Sequence, residues 1–108
     1  MDVFQKFIIE KDSEEGDYLV LAKCTYHKQL AYNKDNVIGG GWWELDRENF
    51  VFILYGESTD FGKAEVEDIK RCVKNKQVFT SIAKAKNLTD NFIFKYRVSD
   101  NQMIDLPY

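Results

Sequence analysis

The sequence is poor in the residues from which metal centres and thiol sites are commonly built. It contains one histidine, two cysteines and one proline among 108 residues. Cys24 and Cys72 have neither metal-ligand spacing nor a CxxC arrangement, and the acidic residues show no spacing that demands a metal. We therefore interpret both cysteines as small buried apolar residues in a reduced, cytoplasmic setting, with a catalytic thiol as the less favoured alternative. We expect no metal and no cofactor.

The sequence also lacks a large net charge and long apolar runs. The net charge of −3 argues against a protein that binds duplex nucleic acid by neutralising phosphates. No apolar run approaches the roughly 18 residues of a membrane helix, and the N-terminus lacks the pattern of a signal peptide. A hydrophobic content of 44% with 31% charged residues is typical of a globular domain. We expect residues 1–108 to form one cytoplasmic, monomeric domain that binds neither nucleic acid nor membrane.

Five segments have the composition and patterning of strands, namely residues 3–9, 18–26, 42–45, 50–55 and 92–98. The first two indicate a hairpin, and residues 50–55, which include no polar side chain, predict an interior strand. Residues 63–75 carry an apolar stripe at helical spacing and predict the main helix. Residues 78–88 are ambiguous between a short helix and an irregular strand. The tail after Ser99 is predicted to be loosely held, apart from Met103, Ile104 and Leu106.

These segments predict an α+β domain. Its sheet would be mixed or antiparallel, with about five strands, and one main helix would pack on it, with or without a short second helix.

Two glycine-containing stretches stand out as candidate functional elements. Three consecutive glycines, Gly39, Gly40 and Gly41, indicate unusual backbone dihedrals or the close approach of another group. Residues 55–62 connect the predicted interior strand to the predicted helix, where free loop amides can form an anion site. The alternative is a tight hairpin entry followed by an ordinary strand-to-helix connection.

Among side chains that can carry chemistry, His27 is the only histidine and follows Tyr26 at the end of a predicted strand. With an ordinary pKa of about 6.5, a histidine can act as base, acid or nucleophile near neutral pH. The alternative is a structural or merely exposed histidine. Ser58 resembles the nucleophile of a Gly-x-Ser loop but lacks the second glycine of the hydrolase elbow. Asp60 is better placed to cap the predicted helix.

Three blocks of the sequence resemble the janus/ocnus family, whose members include small phosphohistidine phosphatases. The blocks are the Tyr26-His27 pair, the glycine triplet, and the Tyr-Gly-x-Ser-x-x-aromatic-Gly pattern of residues 55–62, and they follow the family's order. The resemblance implies that His27 is catalytic, as nucleophile on phosphorus or as base for water. It also implies that the phosphoryl oxygens are bound by backbone amides at Ser58, Thr59 and Asp60 and by the Ser58 hydroxyl.

The resemblance assigns further residues to the cleft. A phosphate-binding lysine on the family's first strand corresponds to Lys6, with Gln5 as the alternative. The glycine triplet and Trp42 would wall the cleft. Trp42 stands where the family has an arginine, which removes a bidentate phosphate ligand. The segment between His27 and Gly39 is also much shorter than in the family.

Two functions remain open from the sequence. One is metal-independent phosphoamidase activity on a phosphorylated protein or a small phosphoramidate, because phosphoryl transfer depends mainly on positioning and charge stabilisation. The other is a non-catalytic module that binds an anionic or phosphorylated partner in the same cleft. The missing arginine, the acidic residues Glu57 and Asp60, and Trp42 favour the second.

Overall fold

The computed structural model describes residues 4–14, 16–80 and 93–106. The described elements are β1 (Phe4–Glu10), β2 (Tyr18–Cys24), β3 (Val37–Asp46), β4 (Val51–Tyr55), α1 (Val66–Lys74), β5 (Val78–Thr80), β6 (Ile93–Ser99) and β7 (Gln102–Leu106). Two short 3-10 turns, His27–Leu30 and Lys34–Asn36, lie between β2 and β3.

All seven described strands belong to one sheet, in the order β5-β2-β1-β3-β4-β6-β7. The pairs β2–β5 and β4–β6 are parallel, and the other neighbours are antiparallel. The sheet curls into a half-barrel around α1, the single α-helix of the described residues. The predicted α+β arrangement of about five strands is therefore wrong, because the structure is mostly sheet and has seven.

The two additional strands lie in segments whose own patterning is weak. β7 occupies the tail that was predicted to be loosely held, and it pairs antiparallel with β6 across the turn at residues 100–101. β5 is only three residues long and pairs in parallel with β2. Both strands are stabilised by main-chain pairing that a short apolar run does not reveal. The rest of the ambiguous segment, where a short second helix was considered, lies outside the described residues.

The core lies on the concave face of the sheet, under α1. It contains Phe7, Ile9, Leu19, Leu21, Trp43, Phe52, Leu54, Phe94, Tyr96 and Leu106 from strands, and Ile69, Cys72 and Val73 from the helix. Both cysteines are buried and free, as expected. Burial raises the pKa of Cys72 to about 12, which keeps its thiol protonated and unreactive at neutral pH.

The interior position of β4 is confirmed, since it lies between β3 and β6. Phe52 and Leu54 are fully buried, whereas Ile53 and Tyr55 on the other face are half-buried. Phe50, predicted to begin this strand, lies in the preceding turn with φ of 57°.

The main helix is shorter than predicted. Its N-cap residue is Glu65, without a side-chain cap, so the prediction that Asp60 caps it is wrong. Within the described residues, no helix has both the length and the apolar character needed to span a membrane.

Candidate functional site

The convex face of β1 and β2 is covered by the segment that begins at His27, and Glu10 holds that segment in place. The Glu10 carboxylate is 1% exposed and accepts hydrogen bonds from the backbone amides of Tyr32 at 2.8 Å and Asn33 at 3.0 Å. The Tyr18 hydroxyl donates to the same carboxylate, and burial together with Glu10 raises the pKa of Tyr18 to about 12. Because several donors share one buried carboxylate, the segment is held firmly even though most of its residues are exposed.

His27 begins the first 3-10 turn and is almost completely covered, with 2% of its surface exposed. Its Nε2 atom lies 2.7 Å from the carbonyl oxygen of Gly41. A carbonyl can only accept, so Nε2 carries the hydrogen and Nδ1 keeps a lone pair. Burial lowers the pKa of His27, and the charge of Lys6 lowers it further, against the opposing effects of the Gly41 hydrogen bond and Asp60. The lowered pKa favours the neutral ring, in which Nδ1 keeps its lone pair.

The glycine triplet lies inside β3, and its role is close approach rather than unusual dihedrals. A Cβ atom on Gly39 would be 2.6 Å from the Cα atom of Ala64, just before α1. A Cβ atom on Gly40 would be 2.5 Å from a carbonyl oxygen of β1 and 3.3 Å from Cδ2 of His27. Only glycine lets the loop before α1 and the His27 ring pack onto this strand. The triplet thus permits close packing within β3, which forms an antiparallel hairpin with β4.

The loop of residues 56–62 is docked on the same strand. The Ser58 amide donates to the carbonyl of Gly40 at 3.1 Å, and the Ser58 hydroxyl oxygen accepts from the amides of Asp60 and Phe61, each at 3.2 Å. The Gly62 amide donates back to the carbonyl of Ser58 at 2.8 Å. Ser58 is 2% exposed and acts as the centre of the loop's own hydrogen bonds. The amides that were expected to bind phosphate at Ser58 and Asp60 are thus already engaged.

Thr59 and Asp60 form the exposed tip of this loop. Asp60 is close enough to His27 for its carboxylate to raise the pKa of the ring, opposing the effect of burial. The loop and His27 therefore both pack against Gly40. Their contact, however, places a negative charge near the ring.

Lys6 and Trp42 complete the polar centre on the convex face. The Lys6 ammonium donates to the carbonyl of Thr25 at 2.7 Å and lies 4.9 Å from the centre of the Trp42 ring. The Trp42 ring meets His27 edge to face, with ring centres 5.9 Å apart. Trp42 thus places an aromatic surface over the lysine and beside the histidine.

The choice between Lys6 and Gln5 is decided by the register of β1. Lys6 pairs with Trp42 and lies on the face of His27. The Gln5 side chain instead donates to the backbone carbonyl of Trp43 at 3.2 Å. Lys6 is therefore the lysine of the candidate site.

Sequence reasoning missed Glu10 and Thr25. The only sequence signal of the role of Glu10 is that it directly follows the apolar residues Phe7, Ile8 and Ile9. Thr25 accepts the Lys6 hydrogen bond through its backbone carbonyl, which no sequence pattern reports. Within residues 4–14, 16–80 and 93–106, no group of three or more His, Cys, Asp or Glu side chains is placed to hold a metal ion.

No protein-family model matches the chain, and no curated protein is significantly similar to it in sequence. Function is therefore inferred from the geometry around His27 and from the three sequence blocks.

Proposed function

We propose that the chain is a metal-independent phosphoamidase of the phosphohistidine phosphatase kind. The observation that carries this proposal is the orientation of His27, whose Nε2–H donates to the Gly41 carbonyl and leaves Nδ1 with a lone pair. A neutral imidazole with a lowered pKa, fixed by a second hydrogen bond, is the arrangement of a general base or nucleophile. The positive charge of Lys6 acts on the same ring.

The reaction needs one bond broken and one formed. The P–N bond of a phosphoramidate breaks as its nitrogen leaves with a proton, and the phosphoryl group passes to water to give inorganic phosphate. Nδ1 of His27 either attacks phosphorus, forming a P–N bond that water later cleaves, or takes a proton from the attacking water. Lys6 supplies positive charge for the equatorial oxygens, where phosphoryl transfer requires it.

Hydrolysis of phosphoramidate and of phosphohistidine, measured in the presence of a chelator, tests the proposal. We expect His27→Gln to lose activity by about a hundredfold or more, because a positioned acid or base contributes at least that factor. Tyr26→Phe alters the exposed neighbour of His27 and is the matched control, with activity unchanged. Equal activity of His27→Gln and wild type would contradict the proposal. Enzyme denatured at alkaline pH, where the P–N bond of phosphohistidine persists, separates the two mechanisms, since phosphate bound to the only histidine appears only if Nδ1 attacks phosphorus.

The second candidate function is a non-catalytic module for an anionic or phosphorylated partner. Two observations favour it: the amides of Ser58, Asp60 and Phe61 take part in hydrogen bonds within the protein, and Trp42 covers Lys6. A titration with inorganic phosphate, followed by amide chemical shifts, distinguishes the candidates. Shifts around His27 and Lys6 without turnover by wild type would favour the binding module.

A further inference from the structure

The central sheet divides at one end into two separate hairpins. The ladder between β1 and β3 ends at the pair Lys6 and Trp42. Beyond that pair, β1 continues to Phe4 in register with β2 alone, and β3 continues to Asp46 in register with β4 alone. The described parts of β1 and β3 therefore turn unpaired backbone edges toward each other across a cleft. Two side chains bridge the base of the cleft: Gln5 donates to the Trp43 carbonyl, and the Trp43 indole donates to the carbonyls of Lys6 and Ala22.

Two adjoining cavities occupy this cleft, with volumes of about 400 and about 380 Å³. Both are lined by Gln5, Lys23, Trp43 and Glu44. The first extends to Arg47 in the hairpin turn, and the second extends to the rings of Phe4, Trp42 and Tyr55. The second cavity thus reaches the tryptophan that contacts His27.

The charged side chains of the cleft that form no ion pair with a described residue are positive. Glu44 is its only acidic lining residue among those described, and its carboxylate is paired with Arg97 at 2.9 Å. Lys23 and Arg47 are exposed and form no ion pair with any described residue. An acidic ligand is therefore complementary to the cleft, although the protein as a whole has a net charge of −3.

We propose that this cleft binds an extended acidic segment of a partner protein, added as a strand along the open edge of β3. The strand edge supplies main-chain hydrogen bonds, and Lys23 and Arg47 select acidic side chains. The inference goes beyond the proposed activity and does not require it, because the cleft is distinct from the His27 ring and touches it only through Trp42.

Titration of the full chain with a capped peptide, Gly-Glu-Thr-Glu-Thr-Glu-Gly, tests this proposal. We expect amide shifts at Trp43, Glu44 and Leu45, and shifts of the indole signals of the two tryptophans. The matched peptide with glutamine for each glutamate should bind about two- to thirtyfold more weakly, the factor that two exposed ion pairs supply. A peptide methylated on the central backbone nitrogens should also bind more weakly, because methylation removes the main-chain donors of strand addition.

Protein variants locate the contact. Lys23→Gln and Arg47→Gln should each lower affinity for the glutamate peptide and leave affinity for the glutamine peptide unchanged. Lys34→Gln, which removes an exposed lysine near the other end of β1, is the matched control and should bind like wild type. Equal binding of both peptides, or shifts centred elsewhere, would overturn the proposal. So would saturation by a mononucleotide with no binding of either peptide.

The readout requires no turnover, so its failure is distinguishable from failure of the phosphoamidase proposal. Peptide binding in an inactive protein would support the cleft alone. Activity on phosphoramidate without peptide binding would support the His27 site alone.

Discussion

Both faces of β1 and β3 are covered, the concave face by an apolar core and the convex face by a segment held through hydrogen bonds and charges. On the concave face, Phe7 and Trp43 are packed in an apolar core beneath α1. On the convex face, one residue along each strand, Lys6 and Trp42 lie with His27 under a segment fixed by Glu10. The concave face is stabilised by the burial of apolar surface, so substitutions that keep the volume and the apolar character should cost little. The convex face depends on individual hydrogen bonds and charges, so it should respond to pH, anions and single polar substitutions.

The largest expected effect comes from truncating the concave face. Phe52 is fully buried and stacks on Phe94 with ring centres 5.2 Å apart. Phe52→Ala should lower the free energy of unfolding by about 3–5 kcal/mol, the usual cost of removing a buried aromatic ring. Urea denaturation measures the change. Ile53→Ala, on the half-buried face of the same strand, is the control and should cost clearly less. Equal losses would mean that the two faces do not differ as described.

The next effect concerns the tryptophan on the convex face. Trp42→Arg would place a guanidinium beside the Lys6 ammonium, where two cations repel unless an anion lies between them. We expect a lower melting temperature without phosphate and a larger phosphate-dependent gain than in wild type. Hydrogen bonds to charged groups are worth about 1.5–3 kcal/mol, or roughly 10- to 100-fold in phosphate affinity. Trp42→Leu, which removes the ring without adding charge, should not gain phosphate affinity. If phosphate stabilises Trp42→Arg no more than wild type, the convex face is not an anion site.

A smaller effect is expected at the carboxylate that holds the covering segment. Glu10→Gln replaces one acceptor oxygen with a donor that faces a backbone amide, at a cost of about 1–3 kcal/mol. Hydrogen exchange should accelerate at the Tyr32 and Asn33 amides, which donate to Glu10. Glu14→Gln, an exposed change in the turn after β1, should stay within about 0.5 kcal/mol of wild type. Unchanged exchange at Tyr32 would show that the segment is held by other contacts.

The concave face was the more predictable of the two. The continuous apolar run of residues 50–55 identified an interior strand, and the helical stripe identified α1, because burial imposes a period on the sequence. The strand prediction failed at the edge of the sheet, where β7 has only Met103, Ile104 and Leu106 as apolar residues. Its existence depends on pairing with β6, which no local pattern reveals. The predicted number of strands was too small for that reason.

For the convex face, the sequence indicated the separate functional segments but not the contacts between them. The glycine triplet and the 55–62 loop were recognisable in the sequence. In the structure, the loop and His27 both pack against Gly40 of the triplet. The use of the Ser58, Asp60 and Phe61 amides within the loop could not be foreseen, since it depends on how closely the loop packs on Gly40. The contact between Lys6 and Trp42 likewise follows from the register of β1 on β3.

The smallest expected effect is on stability as a function of pH. The folded-state pKa of His27 is lowered, so between that value and the ordinary value of 6.5 the unfolded chain binds more protons than the folded one. The contribution of His27 to stability is therefore complete above pH 6.5, is lost as pH falls toward the folded-state pKa, and is constant below it. The difference in unfolding free energy between wild type and His27→Gln should show this step. A difference independent of pH between 4 and 8 would contradict the lowered pKa.

The state of the His27 ring is the central claim, and imidazole nitrogen NMR tests it most directly. The chain has one histidine, so the spectrum contains one pair of ring nitrogen signals. We predict a neutral ring at pH 7 with the hydrogen on Nε2 and a lone pair on Nδ1, a midpoint of protonation below 6.5, and a shift of the Nδ1 signal on addition of phosphate. A hydrogen on Nδ1, or a midpoint at or above 6.5 with no response to phosphate, would contradict the account.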